Sequence, residues 1–174
     1  MRKLWAFLGS AVFLVIAPGF VAGLAPYWIS ARWSEITQLP WLLQAIGWLL
    51  VAAGGLVLVD SFVRFALQGL GTPAPVFPTK HLVVTGLYRF VRNPMYVAVV
   101  SLIFGQSLLL GNIRLLVYGC FIWLACHMFV TLYEEPTLRS TFHGEYDDFC
   151  SHVPRWIPRI TPWQREASEF VIDR

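Results

Sequence analysis

Residues 95–110 read MYVAVVSLIFGQSLLL, residues 111–112 read GN, and residues 113–133 read IRLLVYGCFIWLACHMFVTLY. A bilayer-crossing helix needs roughly 20 mostly apolar residues. The second run has that length, and the first reaches the lower limit once Pro94 is counted in its opening turn, where proline is tolerated. Gly-Asn is a turn dipeptide. With Gly111-Asn112 as the whole connection, the two runs are predicted to fold as a tight antiparallel transmembrane hairpin. Two further apolar runs lie upstream, at residues 4–25 and 41–62. The expected fold is therefore an all-α integral membrane protein, a single domain over residues 1–174 with four spans (4–25, 41–62, 95–110, 113–133). A loop over residues 64–93 and a tail over residues 134–174 hold most of the polar sequence.

The composition agrees. Of 174 residues 57% are hydrophobic and 13% charged, with a net charge of +3 and a mean hydropathy of +0.61. An ordinary soluble domain is about 25% charged. These values exclude a disordered chain, a coiled coil, a typical cytosolic domain and a nucleic-acid binder. Cys120 and Cys126 stand in an apolar run and Cys150 in the tail, so they form neither a disulfide framework nor a metal site. Arg2-Lys3 before an apolar run, with Ala22-Gly23-Leu24-Ala25 after it, has features of a cleaved signal peptide. The run is long for that, and Pro26 directly follows the candidate cut, so an uncleaved first span is the expectation.

Orientation follows from the basic residues. Four spans place Arg2, Lys3, Arg64, Lys80, Arg89, Arg92, Arg139, Arg155, Arg159, Arg165 and Arg174 on one side, and only Arg32 and Arg114 on the other. Both termini, the loop and the tail are thus expected on the cytoplasmic face (of the inner membrane in a bacterium). Tyr27, Trp28, Trp33 and Trp41 would form an aromatic belt around the short outer loop.

Chemistry gathers on the polar side. The stretch Gly69 to Pro78 holds two glycines and three prolines and reads as an extended linker, not a dinucleotide fingerprint. The segment Thr85 to Tyr96 brings Tyr88, Arg89, Arg92 and Tyr96 to a helix start, with Asn93 placed as N-cap and Pro94 as N1. Free N–H groups at a helix start favour an anion, and Arg92 beside them can hold a carboxylate; interfacial anchoring accounts for the same residues. At the close of the fourth span, Glu134 and Glu135 would oppose the helix dipole. They are expected to meet a cation, either Arg89, Arg92 or a ligand ammonium, unless one caps the helix that Pro136 begins.

Leu138, Phe142, Tyr146, Phe149 and Cys150 recur at helical spacing with Gly144 as an interruption, predicting a short amphipathic helix. Val153-Pro154-Arg155-Trp156-Ile157-Pro158-Arg159 follows as a rigid strap able to close a pocket. Asp60 and Arg64 form an i,i+4 pair. His127, an ionisable residue inside a span, is either functional or simply hydrogen-bonded to a neighbour.

Three motifs in this order resemble the isoprenylcysteine carboxyl methyltransferase and phospholipid methyltransferase superfamily. They are Gly86-x-Tyr88-x-x-x-Arg92-Asn93-Pro94-x-Tyr96, Glu134-Glu135-x-x-Leu138, and the Phe142, Gly144, Tyr146 run closing on Val153-Pro154-Arg155. The likeness extends from about Thr72 to Arg159. It implies S-adenosyl-L-methionine as methyl donor and a lipophilic or amphiphilic acceptor, a carboxylate or an amine, entering from the bilayer. It further implies Gly86, Tyr88, Arg92, Asn93, Pro94, Tyr96, Glu134, Glu135, Tyr146 and Pro154 at the cofactor, with Arg92 and Glu135 as catalytic, and the C-terminal helix closing the site. Asp60, Arg64, His127 and Arg155 are the candidates on the acceptor side. Where the superfamily usually has Arg-His-Pro this chain has Arg92-Asn93-Pro94, and asparagine donates and accepts hydrogen bonds but cannot become a cation. An NADPH-dependent membrane reductase of related architecture and a non-catalytic lipid-binding relative are the alternatives.

Overall fold

The computed structural model describes residues 16–32, 37–64, 82 and 84–164. Most of the first expected span, the proline-rich linker, Trp33, and the basic residues Arg2, Lys3, Lys80, Arg165 and Arg174 lie outside them. The described residues are helical throughout their regular structure, with no strand.

The first described helix does not stop at Ala25. Residues 16–19 run through a π-helical turn, Phe20–Leu24, into α1 (Ala25–Arg32). Pro26 has no N–H to give to the preceding turn, and the π turn absorbs the mismatch, with the Ala25 N–H reaching back to Phe20 O. The freed carbonyls are used by other helices. Gln106 Nε2 donates to Ala22 O at 2.8 Å and the Tyr118 hydroxyl donates to Val21 O at 3.0 Å. This is how a proline is accommodated where water cannot supply hydrogen bonds.

Next come α2 (Trp41–Arg64), α3 (Pro94–Leu110) and α4 (Ile113–Phe129). Helix α2 and the helical rod over Ile113–Phe142 are long and apolar enough to cross a membrane; α3 is shorter. Only 17% of each apolar window is buried inside the protein. Leu49, Leu56, Val117 and Leu132 all face outward. A soluble protein would cover such helices, so their partner is the bilayer.

Helices α3 and α4 make the expected hairpin. Gly111 adopts φ 57° as the left-handed C-cap of α3, and the Asn112 side chain accepts from the Arg114 N–H as N-cap of α4. Helices α2 and α3 meet along a seam of small residues that the sequence reading did not single out. Gly47 and Gly54 of α2 lie against Gly105 and Ala98 of α3, with each pair seven residues apart. A Cβ built on Gly47 would stand 3.0 Å from Gly105 O, and one built on Gly54 3.0 Å from Ala98 O. Such residues let backbones approach in a membrane, where apolar burial gives helices no drive to associate.

The fourth helix also runs past its expected end. A π turn, Val130–Glu134, carries it into α5 (Glu135–Phe142), with Pro136 in the first turn. The break between α5 and α6 (Gly144–His152) falls at His143, φ 47°, one residue before the glycine expected to cause it. Tyr146, Phe149 and Val153 form a small core there with Leu82, Val84, Leu138 and Phe142.

Candidate functional site

Because the rod continues through Glu134 and Glu135, these acids do not sit at a helix C-terminus, and opposition to the helix dipole is not what needs explaining. Each carboxylate has its own partner. The Glu135 carboxylate is nearly enclosed and accepts two hydrogen bonds from Arg155, from Nε at 2.6 Å and from Nη2 at 2.9 Å. Arg92 Nη1 lies 3.1 Å from the same carboxylate. The bidentate fork is the strong form of this contact, and it holds the Arg155 guanidinium still further above its usual pKa range. Glu134 accepts from the Tyr96 hydroxyl at 2.9 Å through Oε2. Its Oε1 has no partner among the described residues.

Arg92 reaches Glu135 from the start of α3. Its Nη1 also meets Cys150 Sγ at 2.7 Å. Its Nε is buried and has no acceptor among the described residues. The segment that carries Arg92 is fastened to the strap by backbone pairs: Arg92 N to Pro154 O at 2.9 Å, Arg159 N to Phe90 O at 2.9 Å and Trp163 N to Arg89 O at 2.9 Å. Arg89 Nε donates to Trp163 O at 2.7 Å, so Arg89 is not a partner of the acids. The strap therefore lies across the N-terminus of α3.

Asn93 occupies the N-cap position and Pro94 is buried in the first turn, but the Asn93 side chain makes no capping bond. Its amide instead donates to Arg155 O at 3.2 Å. Asn93→Leu is expected to loosen the strap, lowering stability by about 1 kcal/mol, the worth of one ordinary hydrogen bond. Asn93→His can donate to the same carbonyl and is expected to keep it. Melting temperatures of the two variants in one detergent decide the matter, and equal values would show that the bond has no role.

Arg92, Asn93, Tyr96, Glu134, Glu135, Pro154 and Arg155 thus converge. Tyr146 supports them from the α6 core, its phenol pushed far up by burial. Tyr88 is buried as well and likewise held neutral, burial outweighing the opposing hydrogen bond with Ser61. His127 is stacked on Trp123 (5.5 Å, 19°) and accepts from Trp156 Nε1 at 3.1 Å, so it ties the strap to α4. Asp60 and Arg64 pair at 2.7 Å, and the Arg64 guanidinium fills the space where a Cβ on Gly86, φ 58°, would stand. These residues form a neighbouring cleft. The roles of Cys150, Trp156 and Trp163 were missed. All are contacts between the tail and distant segments, and nothing local in the sequence marks them.

The family model described as "Phospholipid methyltransferase" matches residues 42–145. The chain is also similar to a protein-S-isoprenylcysteine O-methyltransferase of Schizosaccharomyces pombe, with 37% identity over 82 residues covering 46% of this chain and 34% of that protein. The aligned part is thus about a third of the relative's length. No solved structure matches. The family match takes in more than half of the chain, including the helical hairpin, Arg92 and both acids, and on that ground the protein belongs to the phospholipid methyltransferase family.

Proposed function

We propose that the protein is an integral membrane methyltransferase that uses S-adenosyl-L-methionine to methylate a lipophilic acceptor. We further propose that it has four spans, with both termini and the site at the cytoplasmic face. The observation that carries the cofactor assignment is a pair of unfilled groups of opposite charge. Among the described residues, Glu134 keeps one carboxylate oxygen without a partner, and Arg92 keeps a buried Nε–H without an acceptor. An amino-acid zwitterion satisfies both, the ammonium on Glu134 and the carboxylate on Arg92 and the N-terminus of α3.

When bound, the cofactor would supply a methyl group on a positively charged sulfonium. The chain's own contribution is to bind, orient and exclude water. Glu135, engaged by Arg155 and Arg92, is the positioning residue that fixes Arg92. Tyr88 is neutral, and an uncharged phenol ring can face a cation. The strap covers the site and limits access of water. Bringing two reactants together in the right geometry is worth a large share of the barrier to a displacement, and such a transfer requires no covalent nucleophile from the protein.

The test is methyl transfer from labelled S-adenosyl-L-methionine into a total lipid extract and into membrane proteins, with mass analysis of the product. Label in a lipid or lipidated product is expected. Stabilisation by NADPH without stabilisation by S-adenosylhomocysteine would overturn the cofactor assignment. A reporter fused after Arg174 is expected to read as cytoplasmic, and the opposite signal would overturn the orientation.

A further inference from the structure

Beside the acidic centre lies an open cleft of about 430 Å³ lined by Leu56, Val57, Asp60, Arg64, Gly86, Leu87, Arg89, Phe90 and Pro162. Its wall on α2 grades from apolar to charged. Leu56 is 74% exposed, one turn before Asp60 and two turns before Arg64. Eight residues of helix cover about 12 Å, a span that joins the hydrocarbon edge to the head-group layer.

Among the described residues both arginines are held by Nε alone, Arg64 on Asp60 and Arg89 on Trp163 O. Among the described residues their terminal nitrogens have no acceptor. Two guanidinium ends therefore line one cleft with terminal donors unpaired among the described residues, which is the chemistry of bidentate phosphate recognition. With Asp60 already paired to Arg64, the described lining residues carry a net charge of one positive unit, which a single phosphodiester balances.

We propose that this cleft binds an anionic phospholipid, its phosphate on Arg64 and Arg89 and its chains along Leu56 and Val57. Gly86 serves the site by leaving room for the Arg64 guanidinium. A lipid such as phosphatidylglycerol has no amine, thiol or carboxylate, so it is a ligand of the fold and not a methyl acceptor. The proposal stands apart from methyl transfer, and its test does not use activity.

The purified chain in a neutral detergent is titrated with phosphatidylglycerol, with phosphatidylcholine of the same chains and with inorganic phosphate, followed by melting temperature and native mass spectrometry. Phosphatidylglycerol is expected to stay bound and raise the melting temperature, while the other two do neither. Arg89→Gln, whose amide can still donate to Trp163 O, and Arg64→Gln are each expected to weaken that binding tenfold or more. If one variant does not fold, the other decides. Equal binding of phosphatidylcholine would remove the charge argument. An equal effect of inorganic phosphate would make the ligand a free anion. Wild-type lipid binding by the folded variant would remove the site.

Discussion

Glu135→Gln is expected to destabilise the protein strongly, and Glu134→Gln to weaken S-adenosylhomocysteine binding while the fold holds. The two acids are neighbours, but their surroundings differ. The Glu135 side chain is 5% exposed and faces Arg155 and Arg92, the latter 10% exposed. Neutralising it leaves a buried guanidinium without its counter-charge, a change that costs on the order of 3–5 kcal/mol. Among the described residues Glu134 has a single hydrogen-bond partner, the Tyr96 hydroxyl, which a glutamine can keep. What the glutamine loses is its charge toward a ligand ammonium. A charge-assisted hydrogen bond is worth about 1.5–3 kcal/mol, or roughly tenfold to a hundredfold in affinity. Calorimetry with S-adenosylhomocysteine and thermal melting on both variants separate the roles. Adding Arg155→Met to Glu135→Gln is expected to recover part of the lost stability, because one of the two cations left facing the neutral side chain is then removed. Wild-type cofactor affinity in Glu134→Gln, or wild-type stability in Glu135→Gln, would overturn this division of labour.

Gly105→Val carries the second large effect. A Cβ there would stand 2.8 Å from Gly47 O and 2.7 Å from Val51 Cγ2, and the first of these is backbone that cannot swing aside. Helices α2 and α3 would have to part along their shared seam. Overpacking a tight contact costs about 1–3 kcal/mol, and here it also displaces the helix that ends in Arg64 and the helix whose start Arg92 precedes. Gly55→Ala is the control, since nothing among the described residues lies within 4 Å of its Cβ position. Unfolding in a common detergent is expected to rank Gly105→Val well below Gly55→Ala, and equal stabilities would show that the seam does not hold the pair together.

The helical hairpin was legible because each of its signals is local. Apolar length gave two runs, Gly111 supplied the left-handed cap, and Pro94 marked a helix start. The first and fourth spans, expected to end at Ala25 and Tyr133, both run further, because π turns at Phe20–Leu24 and Val130–Glu134 carry the helices past Pro26 and Pro136. A proline breaks a helix when its lost hydrogen bond goes unreplaced. For Pro26 the replacement comes from Gln106 and Tyr118, more than 80 residues away in sequence.

The sequence by itself determined that this chain lives in a bilayer, that it folds as helices with a tight hairpin, and that Arg92, Glu134 and Glu135 are set at one end of that hairpin. Composition, run length and turn chemistry act over a few residues, so they can be read along the chain. The tertiary structure alone decided which charge each acid faces. Arg155 reaches Glu135 across 20 residues of sequence, and Asn93 turns from capping its own helix to hold Arg155 O across 62. It also decided that the strap lies over α3, through the backbone pairs of Arg92 with Pro154 and of Arg89 with Trp163. Buried charges and unpaired backbone groups take partners wherever the fold delivers them, and residue type and spacing do not encode that delivery.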